Sequence, residues 1–368
     1  MVTTMCTVNT ERGLFKNVLL RDAEKGRNNN LNLIRFALAS LVIFSHSYIA
    51  TGSFSDNEPM RKYLHFGSFG GLAVLSFFFI SGYLILKSGL SMKSPEHFIR
   101  ARTLRIFPGL ITVIFLCGLV LGPCLTVLTV QDYFANHFTW SFLQNALMRQ
   151  APVQLPGVFM TNLIRTVDAP LWTLSSEWTM YIVVLLVCIA LKWKLFWKQF
   201  TLRTFIFLMF VLLITLPLLP HLSSYSIPWA SFFVVGSFCY VFRSRIILNI
   251  PIALCLTILF LVLIRSFPIA GKYIFPAALA YLLLTIGYHP ALHFKSFHKI
   301  GDYSYGLYIY AWPIQQILSS HPTGQAVKLF LLSYPLALLV SIASWHFIEG
   351  PCLRLKDTKI PALPPLAG

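Results

Sequence analysis

Charge is scarce in this chain: Asp, Glu, Lys and Arg make up 11% of 368 residues, against the roughly 25% usual for a soluble domain. Acidic side chains are the scarcest, 12 against 29 Lys and Arg. No polar stretch between residues 31 and 348 is long enough for a separate soluble domain. The first 30 residues lack a short apolar core followed by a small-residue cleavage site, so no cleaved leader is expected and the first transmembrane helix should direct insertion. The cysteines number seven, an odd count without a CxxC pair, and four of them fall in apolar runs as small hydrophobes, so no disulfide framework or cysteine metal site is implied. A G-x-S-x-G elbow, a Walker loop and a dinucleotide fingerprint are all missing, as is any repeat of solenoid period.

What the chain has is apolar length. Hydrophobic residues make up 57% of it, more than a soluble fold could bury, so lipid must solvate much of the surface. Runs long enough to cross about 30 Å of hydrocarbon begin near Leu31, Phe69, Ile106, Leu171, Thr204, Ser226, Ile246, Tyr273, Tyr303 and Val327. The expectation is an all-α polytopic bundle of about ten spans: a basic tail over 1–30, one membrane domain over 31–352 and a short tail over 353–368. With the N-terminus cytoplasmic, 21 Lys and Arg fall in inner segments and seven in outer ones, which satisfies the positive-inside rule and puts both termini in the cytoplasm. The net charge of +17 is spread over short inter-helix clusters and forms no single stripe, which argues against nucleic acid. One long outer segment, about 129 to 170, should hold an interfacial helix and a Pro/Gly-containing lid; a plain connecting loop is the alternative.

Charged groups inside hydrocarbon cost roughly 2.5–3.5 kcal/mol each on the insertion scale, so those that persist there invite a functional reading. Arg35 and His46 lie eleven positions apart on the first span. That spacing returns them to within about 20° on one helix face, about 16 Å apart along it. A snorkelling arginine and an interfacial histidine would be the structural alternative. Arg100, Arg102 and Arg105 precede the third span; Arg102 and Arg105 are neighbours on a helical turn and their guanidinium forks suit phosphate, although ordinary positive-inside residues would look the same. Glu177, in LWTLSSEW near the start of the fourth span, could orient an imidazole or accept a sugar hydroxyl, or could simply complement a helix N-terminus. Asp302 reads equally as an N-cap, and Glu349 as the partner of a cytoplasmic arginine. His289, His293 and His298 lack companions at ligand spacing, so no metal is expected.

In order, LNLIRFALASLVIFSH, FFFISGYLI, FIRARTLRIFPGL, LWTLSSEWTMY, GDYSYGLYIYAWPIQQ and HFIEGP resemble the integral-membrane acyltransferase 3 family, over about residues 30 to 352. The resemblance implies O-acylation of envelope sugars, with acyl-CoA, by default acetyl-CoA, as donor and no tightly bound cofactor. It makes His46 the essential histidine and Arg35 its paired arginine. Arg102 and Arg105 become the arginine pair of the loop before the third helix, with Glu177 the acidic residue of the tryptophan-rich segment. Ser81, Trp172, Asp302 and Tyr305 fall in the same motifs as supporting residues. Many members carry a histidine before the Trp-Pro of the ninth helix, where this chain has Ala311, which throws the catalytic load onto His46. Because the sequence runs only 16 residues past Cys352, the fused esterase-like domain of some members is not expected here.

The partners this implies are acyl-CoA, an envelope glycan or lipid-linked sugar, and membrane lipid, with a homo-oligomer allowed and nucleic acid excluded. The expected location is the bacterial cytoplasmic (inner) membrane. Direct transfer and a two-step route through an acyl-histidine both fit, and acceptor choice is expected in the 129–170 segment. A carrier of lipid-linked sugar or small solute is the competing class, but the chain shows neither a repeated half nor paired interrupted helices.

Overall fold

The computed structural model describes residues 13, 15–25, 29–53, 57–149, 151–192, 204, 206–207, 227–294, 301–319 and 325–357. The main helices, in chain order, are α1 (Leu31–Ala50), α2 (Phe69–Leu90), α3 (Pro95–Phe115), α4 (Val130–Ala135), α5 (His137–Leu143), α6 (Leu171–Lys192), α7 (Ile227–Val241), α8 (Ile250–Ser266), α9 (Pro268–Tyr288), α10 (Ser304–Leu318) and α11 (Ala326–Ser344). Sheet among the described residues is one antiparallel pair of two-residue strands, β1 (Val18–Leu19) and β2 (Ile247–Leu248).

Six helical stretches are long and apolar enough to cross a membrane: Leu31–Ala50, Phe69–Leu90, Pro95–Leu125, Leu171–Lys192, Pro268–Tyr288 and Ala326–Arg354. Helices α7, α8 and α10 are shorter and also stand where spans were expected. The expected span over 204–220 lies outside the described residues. Helix α3 starts at Pro95, eleven residues before the expected apolar onset, because its first turns are carried by a Ser94 cap accepting from the His97 amide and by Pro95 at the first helical position. Arg100, Arg102 and Arg105 therefore lie inside a helix, not in the loop before one. Basic residues had lowered the hydropathy there without weakening helix propensity.

The contacts divide the chain into two compact units. The first comprises 1–34 and 239–300. In it α8 and α9 form a hairpin, with Gly271 against the backbone of Ile264, and Asn30 donates to the carbonyls of Ile286 and Leu292 at 2.8 and 2.6 Å. The second comprises 35–238 and 301–368 and contains every candidate catalytic residue. Its centre is a dry cluster of small and branched residues from α1, α10 and α11: Ala39, Ile43, Leu307, Ala311 and Ala337. Small residues also set the crossing of α2 and α7, where a Cβ on Gly82 would collide with the Phe233 carbonyl and one on Gly236 with the Phe79 carbonyl. Lipid offers no hydrophobic drive between helices, so such close backbone approach is where packing attraction comes from.

Helix α3 continues through a π-turn, Leu116–Leu121, and one more turn, Gly122–Leu125. The Tyr133 hydroxyl donates to the Gly118 carbonyl at 2.7 Å, satisfying an acceptor inside the π-turn. The following segment does not form the single interfacial helix expected. It forms α4, α5 and a 3₁₀ turn, Gln144–Leu147, separated by the Asn136 cap, and then an irregular strap from 151 to 170.

Candidate active site

Two arginines and one aspartate meet at the start of α10. The Asp302 Oδ2 atom accepts from Arg105 Nη2 at 2.5 Å and from Arg35 Nη1 at 3.2 Å, while its Oδ1 takes the Ser304 hydroxyl at 2.5 Å. All three members of the ion network are largely buried. Asp302 is thus no N-cap: that position belongs to Tyr303, and no side chain caps the helix. The aspartate instead gathers charges from α1 and α3. Burial alone would push its carboxyl up, but the guanidinium of Arg105, then that of Arg35, and then the hydroxyl and N–H of Ser304 hold it at about 2.

Arg102, one turn from Arg105, forms no ion pair with a carboxylate among the described residues. Its Nη2 donates to Ser88 Oγ at 3.0 Å, its Nε is buried without an acceptor, and its charge lies 5.6 and 5.9 Å from the ring centres of Phe98 and Tyr181. Arg105 faces the rings of Tyr305 and Trp345, and Tyr305 is fixed in turn by a 2.6 Å bond to the Ile106 carbonyl. Glu349, expected to pair with an arginine, accepts from Ser344 at 2.9 Å and forms no ion pair within 4 Å among the described residues. Its place on the π-turn Trp345–Glu349 turns it inward.

Beside this cluster lies a narrow cavity of about 60 Å³ whose walls include Arg35, Glu177, Ser304, Tyr305, Thr173 and Tyr308. Glu177 Oε1 takes the Ser81 hydroxyl at 2.7 Å and also the Tyr181 hydroxyl. Tyr181 had not been singled out from the sequence, although its i+4 relation to Glu177 on a helix is a readable signal. At the other end of the cavity the hydroxyls of Tyr308 and Thr173 meet at 2.6 Å, and Thr173 also bonds the Pro170 carbonyl.

His46 does not line that cavity. Its ring meets Trp312 edge-on, with centres 5.1 Å apart, and among the described residues it makes no hydrogen bond, to Glu177 or to any other group. Trp312 is buried and anchored by a 2.9 Å bond from its indole N–H to the Thr166 carbonyl. Ser304, Tyr308 and Trp312 follow one another at i, i+4 and i+8, so one face of α10 carries the ion network, the Tyr308–Thr173 contact and the histidine platform at successive turns, about 6 Å apart. Trp172 is half exposed and packs against Trp229 at 5.5 Å, on the rim and away from the cavity wall.

The pattern of an acyltransferase domain matches residues 28–346, most of the chain. The chain belongs to the acyltransferase 3 family. It is 28% identical to an O-acetyl transferase of Shigella phage Sf6 over 91% of this chain and 98% of the relative. It is 32% identical to Nodulation protein 10 of Rhizobium leguminosarum bv. viciae over 46% of this chain and 47% of that protein. No solved structure matches it. Family membership and the apolar helices together make this chain a membrane-embedded acyltransferase.

Proposed function

We propose that the chain transfers an acyl group, acetyl by default, from acyl-CoA at the cytoplasmic face to a hydroxyl of a cell-surface or secreted polysaccharide or glycolipid. The setting is the bacterial cytoplasmic membrane, crossed about ten times with both termini inside. The observation that carries this reading is a cavity too small for a sugar ring, walled by Arg35, which Asp302 ties to Arg105, and by Ser304 and Tyr308 on the face of α10 that one turn further on carries Trp312 against His46. Small-molecule sites usually span about 300–1,000 Å³, so a 60 Å³ space suits only a slim group such as a thioester arm. The O-acetyl transferase of the phage relative, similar over nearly its full length, supports acetyl and an oxygen acceptor.

In this reading Arg102 takes the donor's phosphate oxygens, because its charge is the one not already neutralised by Asp302. Arg35 and Arg105, locked together, shape the entrance. The acyl thioester extends past Glu177 toward Tyr308. His46 accepts the proton of the acceptor hydroxyl as its oxygen bonds to the acyl carbon; the carbon–sulfur bond breaks and the CoA thiolate leaves to be protonated. Trp312 fixes the imidazole plane, and Glu177 with Ser81 and Tyr181 forms a polar wall that bonds the thioester region.

The test is transfer of labelled acetyl from acetyl-CoA to envelope glycans in membranes carrying the wild type or His46→Ala. The expected result is label in the glycan fraction that falls by about 10²-fold or more in the variant. Equal labelling with both proteins would remove His46 from the chemistry, and no labelling with either would overturn the reaction class.

A further inference from the structure

At the far end of α3 from the arginines, the 126–165 segment encloses an open cleft of about 600 Å³. Twenty-three residues separate Arg102 from Leu125, so the cleft lies roughly 35 Å along the helix from the arginine cluster. Its frame is built: Thr126 Oγ1 donates to the Pro156 carbonyl at 2.8 Å, the Val127 amide to Gly157 at 3.0 Å, Asn145 Nδ2 to Pro152 at 3.1 Å and the Val167 amide to Val153 at 2.7 Å. Gly157 and Phe159 both hold positive φ, 69° and 53°. For a phenylalanine that backbone is strained, and such strain gathers at ligand clamps.

The lining is chemically mixed. Phe138, about half exposed, offers a ring face. Around it stand the amides of Asn136 and Gln154 and the guanidinium of Arg165. Asn136 uses its oxygen to cap α5, and among the described residues its NH₂, the Gln154 amide and the Arg165 guanidinium make no hydrogen bond or ion pair. An apolar ring beside planar donors that face the open cleft is the combination that grips a pyranose, whose C–H face is apolar and whose hydroxyls both donate and accept.

The cleft also connects to the histidine. Arg165 precedes Thr166, whose carbonyl receives both the Trp312 indole N–H and Gln316 Nε2, and Trp312 carries His46. A ligand seated against Arg165 is therefore one residue from the anchor of the catalytic platform. Resting on the reaction proposed above, we infer that this cleft is the acceptor subsite: it holds a saccharide on Phe138, Asn136, Gln154 and Arg165 and presents one hydroxyl past Trp312 to His46.

The experiment is kinetic, on full-length protein in membranes. The probe is the polymeric and lipid-linked glycan extracted from the envelope of the producing cells, titrated against a fixed concentration of labelled acetyl-CoA. Gln154→Ala/Arg165→Ala and Phe138→Ala should each raise the half-saturating glycan concentration by about tenfold or more while the half-saturating acetyl-CoA concentration stays put. Arg102→Ala should do the reverse. All three substituted positions of the cleft are exposed, so folding should be kept, and thermal melting checks it. Wild-type transfer with an unchanged glycan dependence in both cleft variants would overturn the inference and leave the reaction standing. Absence of transfer by the wild type would overturn both.

Discussion

Arg105 and Asp302, 197 positions apart in sequence, form a 2.5 Å ion pair in a largely buried site, and the same carboxylate oxygen also holds Arg35. One anion between two cations from different helices ties α1 and α3 to the start of α10. Asp302→Asn would leave both guanidinium groups facing each other without their counter-ion. Removing one partner from a buried pair costs about 3–5 kcal/mol, so thermal unfolding of the purified variant should shift down strongly. Part of the loss should return in Asp302→Asn/Arg105→Gln, where one stranded charge is gone. An unshifted melting curve for Asp302→Asn would mean that the network contributes nothing to stability.

The same carboxylate sets a pH dependence. Its folded value, about 2, lies below the 3.8 of an unperturbed aspartate. The unfolded chain binds the proton first, so the contribution is complete above about pH 4 and disappears as pH falls toward 2. Melting temperature against pH should therefore drop through that window in wild type more steeply than in Asp302→Asn. Parallel curves would assign the acid transition to other groups.

Arg102 and Arg105 look equivalent as a motif but differ in what their charges meet. Arg105 is already neutralised, whereas Arg102, among the described residues, donates to Ser88 alone and keeps a buried Nε without acceptor. A charge-assisted bond to phosphate is worth about 1.5–3 kcal/mol, so Arg102→Ala should raise the KM for acyl-CoA roughly 10- to 150-fold with little change in melting temperature. Arg105→Ala should lower stability first. Arg102→Lys should recover only part of the affinity, since an ammonium cannot bridge two phosphate oxygens as a fork does. The opposite assignment would show as a donor KM that moves only with Arg105.

Much of this was legible in one chain because hydrocarbon length and intramembrane charge are local signals. Helices stand at nine of the expected positions, six of the helical stretches being long and apolar enough to cross a membrane, and the tenth position lies outside the described residues; Arg35, His46 and Glu177 stood out as polar groups in apolar surroundings, Arg102 and Arg105 as a basic pair before the third span. The pairings were not legible. Nothing near Asp302 announces that it closes on residues 197 and 267 positions away, so capping was the equal local reading. The arginines displaced the apparent start of α3 because hydropathy measures lipid compatibility, while helix formation answers to Ser94 and Pro95. Glu177 read from the sequence as a group that could orient an imidazole, but position on a helix does not fix which neighbour a side chain meets: its carboxylate takes the hydroxyls of Ser81 and Tyr181, and the imidazole of His46 meets Trp312.

The crossing of α2 and α7 gives a packing test away from the charges. A methyl group at Gly236 would collide with the Phe79 carbonyl and crowd the Tyr83 amide, and both obstacles are backbone. Gly236→Ala must push the helices apart, at about 1–3 kcal/mol for overpacking, although alanine is the better helix former. Gly13→Ala, where the nearest neighbour is 3.9 Å away, is the control. A melting temperature for Gly236→Ala at or above wild type would show that the crossing is looser than the structure has it.

At the wall of the narrow cavity the hydroxyls of Tyr308 and Thr173 meet, one turn below Trp312 on the same face of α10. In the proposed reaction a thioester reaching His46 passes this level, and water entering from the proposed acceptor cleft passes it in the other direction. The contact is short and buried, and Thr173 is held from behind by the Pro170 carbonyl. If it keeps water from the thioester, Tyr308→Phe should leave donor binding nearly intact, because the ring still fills its place against Phe77. CoA release without glycan labelling should then rise relative to productive transfer. Thr173→Val, similar in shape and without the hydroxyl, should shift the ratio in the same direction. A coupled assay of free thiol against glycan-bound label reads that ratio directly. A ratio unchanged in both variants would assign water exclusion to the apolar wall of Val74, Phe77 and Phe78, and would leave the hydroxyl pair as a helix-to-helix tie alone.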